Sequence, residues 1–350
     1  MGELFRGELN DGPSGKSRRR LTLLNRALTP ALIALLFLVP VLWSDEFILN
    51  LIISTFLSII LSVSLNLIIR TGKLSLAHAG FMGIGGYTSA MTVMRLGFPF
   101  PLALLLSGLV AMSVALLVGR LLLRLKGVYF VLVTFAFGEV VRLFFVNMIY
   151  PFGGATGITN IPPPKITIGP GLSLTFLSKA SYYYLVLVVM LMTVLMIRRL
   201  LRSSIGKAMD CTEEAEHLAE CTGIDTFQCK MVAFGVGSFF AGLAGSLFTH
   251  YYRYISPESF TFWESVNLIV INVVGGMSGI TGPILGSIFL VPLPEFLRGF
   301  VQYQRVLYGL ILILTLIFMP TGLLGILRKA IGGRLKNIVG KKEELRGRIA

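Results

Sequence analysis

The chain has 350 residues, of which 55% are hydrophobic and only 14% are charged, and its formal net charge is +14. Soluble domains carry about 25% charged residues, so this composition excludes an ordinary water-soluble protein and indicates an integral membrane protein. A transmembrane helix needs about 20 mainly apolar residues, which leaves room for about ten spans and for no second soluble domain. The basic residues cluster between apolar runs, a pattern typical of membrane topology and not of a nucleic-acid surface.

Residues 1–28 are polar and basic and lack the small-residue cleavage site of a signal peptide, so they are predicted to form a cytoplasmic tail. The tail contains GPSGKS, but a phosphate-binding loop needs a glycine where Asn10 stands. We therefore expect no ATPase site in this tail. A second basic cytoplasmic tail is predicted for residues 328–350.

Between the two tails, residues 29–327 are predicted to form an all-α bundle of about ten transmembrane helices, some of them broken. The apolar runs cover roughly 29–43, 47–69, 74–94, 100–123, 128–149, 181–201, 230–251, 263–279, 283–299 and 304–320. The eighth and ninth runs are short and interrupted by glycines, so half-helices or tilted spans are alternatives for both.

The distribution of Lys and Arg predicts the orientation of the bundle. With the amino terminus in the cytoplasm, 24 of the 31 basic residues are cytoplasmic, six are external and Arg142 lies in the membrane. This segregation obeys the positive-inside rule, so we expect both termini to be cytoplasmic.

Two connections are longer than a simple link between helices requires. Residues 150–180 are predicted to form an external, turn-rich loop that is stiffened by three consecutive prolines. Residues 202–229 are predicted to form a cytoplasmic loop. Its middle is rich in Glu and Ala and predicts a short helix over 212–222, started by Thr212 as N-cap and ended by Gly223.

The candidate functional residues are the polar side chains inside or beside the apolar runs. Such side chains are costly in hydrocarbon and usually face the bundle interior or a water-filled pathway. The candidates are Ser75, His78, Glu139, Arg142, Asn147, Glu264, Asn267 and Asn272. His78 has two alternative roles, bridging two helices or contacting substrate. Glu139 and Arg142 share one helical face and either form a structural ion pair or flank a polar passage.

The stretch GKLSLAHAGFMGIGGYTSA at 72–90 combines five glycines with a histidine. Small residues let helices approach closely in a membrane, and glycine also permits irregular backbone beside a cavity. Tight packing and pathway lining are therefore both open for this stretch.

The sequence offers no candidate catalytic constellation, so the chain is not expected to be an enzyme. Cys211, Cys221 and Cys229 lack the spacing of a disulfide framework, and together with His217 they fit no zinc pattern. We therefore expect neither a metal nor a cofactor in this chain.

SLAHAGFMGIGGYTSA at 75–90 resembles the S-L-x-H-A-x-F-x-G-x-G-A-Y signature of the permease subunits of branched-chain amino-acid ABC importers. Further segments resemble this family in the expected order: TFAFGEVVRLFF, GGATGITNIPPP, KMVAFGVGSFFAGLAGSLFTHY and GGMSGITGPILG. The likeness extends from about residue 45 to 325. The long external loop resembles the longer of the two sister permeases of the family.

The resemblance implies an ABC-importer permease that passes branched-chain amino acids inward by alternating access. It implies four partners: a sister permease, ATP-binding cassette subunits that bind ATP and Mg, an extracytoplasmic substrate-binding protein and the lipid bilayer of a prokaryotic inner membrane. Urea or short-chain amides are alternative substrates within the family. A stand-alone ion-coupled transporter, with Glu139, Arg142 and Glu264 as its relay, is the alternative from a different class.

The resemblance also assigns the cytoplasmic loop 202–229 as a coupling helix that docks in a cleft of the ATPase. The positions that match the family pattern are Gly206, Lys207, Ala208, Glu214, Ala215, Ala219, Glu220, Gly223 and Ile224. Asp210 and Glu213 stand where the family usually has basic residues. We expect this exchange to reverse the charge of the docking surface, so that either the partner ATPase is unusually basic or coupling is altered.

Overall fold

The computed structural model describes residues 35–40, 45–167, 173–277, 279–300, 303–319 and 322–325. The tails predicted at 1–28 and 328–350 lie outside the described residues. The chain divides into two compact units after Leu49. In the first unit, residues 35–40 are helical, and the Asp45 carboxylate accepts a hydrogen bond of 3.0 Å from the backbone N–H of Phe47, where the next helix begins.

From Glu46 onward the described chain is mostly helical, as expected for apolar runs whose backbone groups must be hydrogen-bonded internally in lipid. The helices are α1 (Glu46–Ile69), α2 (His78–Met94), α3 (Phe100–Leu122), α4 (Val128–Asn147), α5 (Ile149–Phe152), α6 (Lys179–Arg202), α7 (Ser204–Glu214), α8 (Glu216–Cys221), α9 (Thr226–Tyr252), α10 (Phe262–Gly275), α11 (Thr281–Leu290), α12 (Leu293–Phe296) and α13 (Gln304–Phe318). Single 3-10 turns lie at Gly154–Thr156, Pro257–Phe260 and Leu297–Phe300.

Within the described residues, six helical segments are long and apolar enough to cross a membrane. They are α1, α3, α4, α6, α9 and the run from Thr281 to Phe300, which joins α11, α12 and the following turn. Helices α2, α10 and α13 are shorter, with 17, 14 and 15 residues. The prediction of an all-α membrane fold is therefore confirmed, whereas the number of ten spans stays a prediction.

Helix α9 packs against both α2 and α3. A Cβ atom added at Gly85 of α2 would overlap the backbone of Gly242 of α9, and one added at Gly245 would overlap the carbonyl group of Met82. Such close approach of backbones through small residues is how membrane helices gain packing contacts. The glycines of the 72–90 stretch that face α9 therefore serve helix packing.

Helices α10 and α11 form a tight hairpin around glycines. Gly276 ends α10 with a φ of +104°, a conformation that side chains other than glycine rarely adopt. A Cβ atom at Gly275 would overlap the carbonyl group of Gly282, and one at Gly286 would overlap that of Ile271. The short α10 and its glycine break agree with the half-helix alternative for the eighth apolar run.

The loop predicted to be external lies against the carboxyl end of α9 at residues 158–161. Ile158 and Ile255 exchange two backbone hydrogen bonds of 2.8 and 3.0 Å, and the N–H of Ile161 donates to Arg253 O at 3.2 Å. The loop also contains an antiparallel pair of short strands, β1 (Lys165–Thr167) and β2 (Ser173–Thr175). The sequence predicted the turns and the prolines of this loop but not the strand pair.

A chain of buried polar side chains links α2, α9 and the external loop. The Ser246 hydroxyl donates to Ser89 Oγ at 2.7 Å, and Ser89 Oγ lies 3.0 Å from His250 Nε2. His250 Nδ1 lies 2.9 Å from the carbonyl oxygen of Pro162. Because a carbonyl oxygen only accepts, Nδ1 donates to it and Nε2 accepts from Ser89. This chain fixes the external loop to the bundle at Pro162.

Candidate functional site

The irregular backbone that precedes α2 brings His78 against α1. His78 is fully buried, and its Nε2 lies 2.8 Å from Ser64 Oγ. The Ser64 hydroxyl donates to Leu61 O at 2.9 Å, so Nε2 of His78 is the donor toward Ser64. Ser75, also fully buried, accepts a hydrogen bond of 3.3 Å from the N–H of Ala77. These contacts join the inner half of α1 to the beginning of α2.

Two hydroxyl groups from other helices satisfy backbone N–H groups at the beginning of α2. The N–H of Ala79 donates to Ser265 Oγ of α10 at 3.0 Å, and the N–H of Leu76 donates to Thr134 Oγ1 of α4 at 3.2 Å. The first N–H groups of a helix lack partners in their own helix and need such acceptors. Sequence reasoning missed Ser265 and Thr134, because the need for acceptors does not tell which distant hydroxyls supply them.

A polar seam connects α1 with α10 and α11. Asn272 is fully buried, and its Nδ2 donates to Ser62 O at 3.1 Å and to Leu268 O at 2.9 Å. Ser287 Oγ of α11 lies 3.4 Å from Ser62 Oγ. Nearby, Asn66 Nδ2 donates to Met277 O at 3.0 Å. The structure therefore places Asn272 among groups that hold helices together.

The other two candidates on α10 lie apart from this seam. Asn267 Oδ1 accepts a hydrogen bond of 3.0 Å from the Tyr308 hydroxyl of α13. Glu264 is exposed, one turn nearer the beginning of the helix. These residues therefore do not form one cluster with His78 and Asn272.

Arg142 is shared by two carboxylates. Its Nε donates to Glu139 Oε2 at 2.9 Å, and its Nη1 donates to Glu258 Oε1, also at 2.9 Å. The side chains of Arg142 and Glu139 are 21% and 27% exposed, whereas that of Glu258 is 70% exposed. Sequence reasoning found the i, i+3 pair but missed Glu258, which lies 116 residues further along the chain. The exposed Asn147 bonds to its own helix through Leu143 O.

A cavity of about 350 Å³ lies between α2, α3 and α4. Aliphatic and aromatic side chains form most of its wall, among them Ile84, Tyr87, Val140, Val141 and Phe145. The Tyr87 ring stacks on that of Phe145 with a centroid distance of 4.0 Å. The buried Tyr87 hydroxyl has no hydrogen-bond partner among the described residues. The cavity therefore combines an apolar wall with one unsatisfied polar atom.

The loop 202–229, predicted to be cytoplasmic, contains two helices where the sequence predicted one. Helix α7 begins at Ser204, after Ser203 accepts a hydrogen bond from the N–H of Gly206, and it ends at Glu214. The prediction that Thr212 caps the helix is wrong, because Thr212 lies inside α7 and its hydroxyl donates to Ala208 O at 2.8 Å. Ala215, with φ −157° and ψ 93°, separates α7 from α8.

The predicted end of this helical segment at Gly223 is confirmed. Gly223 has a φ of +85°, and its N–H donates to Glu220 O at 3.0 Å. The following N–H, of Ile224, donates back to Ala219 O at 3.1 Å. Backbone hydrogen bonds of this kind close a helix whose next residue adopts a positive φ.

One side of the α7–α8 segment packs on the bundle and the other side is exposed. Met209 of α7 is fully buried in a cluster with Leu67 of α1 and with Cys229 and Ala233 of α9. Gly206 is buried, because a Cβ atom there would overlap the backbone of Leu201. The positions that match the family pattern divide between the two sides: Ala219 is buried, Ala208, Ala215 and Ile224 are half-buried, and Lys207, Glu214, Glu220 and Gly223 are exposed.

Asp210 and Glu213 both face the inner end of α1. Asp210 Oδ1 lies 2.6 Å from Arg70 Nη2, and the Glu213 Cα would lie 3.9 Å from a Cβ atom at Gly72. Burial raises the pKa of the Glu213 carboxyl, with a smaller opposing effect of Arg70. Arg70 of the same chain therefore pairs with Asp210, while the effect of Asp210 and Glu213 on the charge of the docking surface stays a prediction.

A second ionic cluster joins α8 to α9. Lys230 of α9 is 3% exposed and its Nζ lies 2.5 Å from Glu216 Oε1 of α8. Burial tends to raise the pKa of Glu216, but the hydrogen bond from Lys230 and the charges of Lys230, Lys73 and Lys126 outweigh it and lower the pKa. Sequence reasoning missed this cluster, since its members come from three separate segments.

Lys73 belongs to the same cluster and connects it to α3. Its Nζ donates to Leu125 O at 2.6 Å and lies 5.4 Å from the centroid of the Phe130 ring. Burial lowers the pKa of Lys73, and the nearby charge of Lys230 lowers it further. The inner ends of α1, α3, α8 and α9 therefore meet around a few partly buried charges.

Comparison with known proteins agrees with this architecture. The family described as "Branched-chain amino acid transport system / permease component" matches residues 47–319. The chain is 35% identical to the high-affinity branched-chain amino acid transport system permease protein LivM of Escherichia coli K12, over 83% of this chain and 72% of that protein. LivM of Salmonella typhimurium LT2 is 34% identical over the same shares.

A more distant relative matches a smaller part of the chain. LivH of Salmonella typhimurium LT2, a permease protein of the same kind of system, is 30% identical over 35% of this chain and 40% of LivH. No solved structure matches the chain with significance. Taken with the helical membrane fold, the match over residues 47–319 and the two LivM relatives lead to one conclusion: this chain belongs to the permease family of branched-chain amino acid transport systems.

Proposed function

We propose that the chain is the membrane-spanning permease subunit of an ATP-driven importer and passes branched-chain amino acids inward by alternating access. The observation that carries this proposal is the α7–α8 segment, which lies on the inner ends of α1 and α9 and exposes its other side. A stand-alone transporter has no need of such a docking segment. The exposed apolar side chains on it, Ile205 at 41% and Leu218 at 69%, suit the cleft of a second protein.

The chain itself has the role of a conduit and not of an enzyme. ATP and Mg are expected in separate ATP-binding cassette subunits docked on α7–α8, and an extracytoplasmic binding protein delivers the ligand at the other end. The clusters of Arg70, Lys73 and Lys126 lie at the same end as α7–α8, which supports a cytoplasmic position for that end in an inner membrane. Both termini are then cytoplasmic if the predicted span count holds.

The substrate class follows from the family and from the wall of the cavity. The relatives named above are branched-chain amino acid permeases. An aliphatic and aromatic wall favours an apolar side chain over urea or a short-chain amide, which would need several hydrogen-bond partners. We therefore place the branched side chain of the substrate against Val140, Val141 and the Tyr87–Phe145 stack during passage.

The sister permease is best placed against α4. Val140 and Phe144 are 63% and 47% exposed on one side of this helix, and Glu139 and Arg142 are partly exposed on another side. Charged groups that face lipid are costly, so a protein surface is the more favourable neighbour for a helix that is exposed on both sides.

The test is reconstitution of the chain in proteoliposomes with its sister permease, the ATPase subunits and the binding protein. Uptake of labelled leucine should require ATP and the binding protein, and unlabelled isoleucine and valine should compete where urea and acetamide do not. Uptake without ATP, driven by an ion gradient, would instead establish a stand-alone transporter. Competition by urea or acetamide alone would reassign the substrate.

A further inference from the structure

We propose that two ion pairs attach the two halves of the docking segment to two different helices, Asp210–Arg70 holding α7 to α1 and Glu216–Lys230 holding α8 to α9. The break at Ala215 is then the point at which ATPase movement divides between the ion pair with α1 and the ion pair with α9, while Met209 packs α7 against both helices. This inference rests on the proposed function, and it assigns Arg70, Asp210, Glu216 and Lys230 as positioning residues.

The joint is a single residue. Helix α7 ends at Glu214 and α8 begins at Glu216, and Ala215 between them has an extended backbone with φ −157° and ψ 93°. A change of direction at one residue leaves each short helix free to follow the element to which its side chains are attached. Segments that absorb conformational change in proteins are often single positions at the ends of elements.

The first pair acts on α1. Arg70 directly follows α1, and its N–H continues the helix by donating to Asn66 O at 3.0 Å. Its guanidinium lies 2.6 Å from Asp210 Oδ1, and the two side chains are 18% and 42% exposed. Further along α1, Ser62 and Asn66 contact α10 and the residues after it. A displacement of α7 is therefore transmitted to α1 and to the polar seam that α1 shares with α10 and α11.

The second pair acts on α9. Glu216 is the first residue of α8, and its partner Lys230 is nearly inaccessible to solvent at 3%. Glu220 of the same helix accepts a second hydrogen bond, of 2.9 Å, from Thr226 at the beginning of α9. Helix α9 packs along α2 and α3, and His250 in its last turn bonds to Pro162 O of the predicted external loop. A displacement of α8 therefore reaches the opposite end of the bundle.

The charges around the second pair make Glu216 hard to replace. Lys73, Lys126 and Lys230 all act on this carboxylate. Without it, the lysines would repel one another in a partly buried site. Removing one partner of a buried ion pair costs more than the pair itself contributes, because the remaining charge is left without compensation.

The test is a charge-reversal cycle on the first pair in the complete reconstituted complex. Arg70→Glu and Asp210→Arg are each expected to lower the substrate taken up per ATP hydrolysed by about tenfold or more, while the ATPase subunits still co-purify. The double variant R70E/D210R should restore this ratio to within about threefold of wild type. The matched control is Arg298→Glu, which breaks the exposed Arg298–Glu295 contact and should leave the ratio unchanged.

Three outcomes separate the possibilities. The proposal would be overturned if the single variants took up as much substrate per ATP hydrolysed as wild type. It would also be overturned if the double variant took up as little per ATP as the single variants. If the charge reversals prevent assembly of the complex, the neutral variants Arg70→Gln and Asp210→Asn replace them. Each should lower the substrate taken up per ATP hydrolysed, whereas the control Arg298→Glu should not. A wild-type complex that assembles no ATPase or transports without ATP would overturn the proposed function itself.

Discussion

At the scale of single residues, Asn272 shows how a buried amide can hold helices together. Its two N–H groups are satisfied by carbonyls of α1 and α10, whereas its Oδ1 has no partner among the described residues. A buried carbonyl group left unpaired costs about 1–3 kcal/mol. The two hydrogen bonds that Asn272 donates, to Ser62 O and Leu268 O, offset this cost.

We expect Asn272→Ala to lower the free energy of unfolding by about 1–3 kcal/mol, because Ser62 O loses its donor and a cavity opens. Thermal unfolding in detergent measures the change. Asn147→Ala is the control, since this exposed side chain bonds only to its own helix, and its melting temperature should match wild type. Equal melting temperatures for the two variants would contradict the structural role of Asn272.

Glu213 gives a prediction that depends on pH. Partial desolvation raises the pKa of its carboxyl, so the charged form destabilises the folded state when the pH lies above that pKa. Because the residue as a whole is exposed, solvent screening keeps this effect small. Glu213→Gln should therefore raise the melting temperature at pH 7. The difference from wild type should shrink as the pH falls through the raised pKa and vanish below about pH 4, where the carboxyl is protonated in both states.

Glu214→Gln is the comparison for this experiment. Glu214 is next in the chain and, like Glu213, has an exposed side chain, so its replacement removes the same charge from a neighbouring position. A destabilised Glu213→Gln at neutral pH would show that attraction to Arg70 outweighs the burial of the carboxylate.

At the scale of elements, the α7–α8 segment has a buried side and an exposed side with different tasks. Met209 and Ala219 attach the segment to the bundle, and Leu218 points away from it with 69% of its surface exposed. Burying a large apolar side chain in an interface contributes binding free energy through the hydrophobic effect.

We therefore expect Leu218→Glu to reduce co-purification of the ATPase subunits by about tenfold or more without unfolding the permease. Quantification of the subunits that co-purify with tagged permease measures the effect. Leu177→Glu is the control, because Leu177 is 66% exposed at the external end. Undiminished ATPase binding by the Leu218 variant would mean that the exposed side of α8 is not the docking surface.

Patterns within one element could be predicted, but contacts between elements could not. The glycine break at Gly276 and the end of α8 at Gly223 follow from glycine chemistry that is local in sequence. The beginning of α7 was missed because Ser203 and Thr212 are both hydroxyl residues that can cap a helix. The partners Arg70 and Asp210 come together only after α1 and α7 pack, so no local pattern pairs them.

At the scale of the whole molecule, two exposed helix faces differ in character. The exposed side of α6 is apolar, with Val188, Met192, Leu195 and Met196 spaced along one stripe. The exposed surface of α4 carries Val140 and Phe144 on one side, and the partly exposed Glu139 and Arg142 lie about 100° and 160° away from Val140 around the helix. Lipid suits the first face, whereas a protein neighbour is favoured for the second.

We expect a cysteine at Val140 to form cross-links with the sister permease in native membranes, whereas a cysteine at Leu195 should not. A nitroxide placed in the lipid should instead quench a fluorophore attached at Leu195 more strongly than one at Val140. Electrophoresis and quenching measure the two effects. The reverse pattern would contradict the assignment of α4 to the interface between subunits.

The fold as a whole was predicted better than its polar centre. Long apolar runs specify membrane helices one at a time, because each run satisfies its own backbone hydrogen bonds. The candidates His78, Asn267 and Asn272 were identified because polar side chains are costly in hydrocarbon. The sequence did not identify their partners Ser64, Tyr308 and Ser62. Glu258 was missed because it lies in the turn Pro257–Phe260, where an exposed carboxylate is common and does not indicate an ion pair.

A chain of hydrogen bonds links Ser246, Ser89, His250 and Pro162. The position of the predicted external loop therefore depends on the distance between α2 and α9. Ser89 belongs to α2 and His250 to α9, so the carbonyl of Pro162 keeps its donor only while those two helices remain in register. If α2 and α9 part, Nε2 of His250 loses the hydroxyl donor of Ser89, and the imidazole is no longer held in the orientation in which Nδ1 donates to Pro162 O. A separation of α2 from α9 inside the bundle would thereby loosen the attachment of the predicted external loop at Pro162.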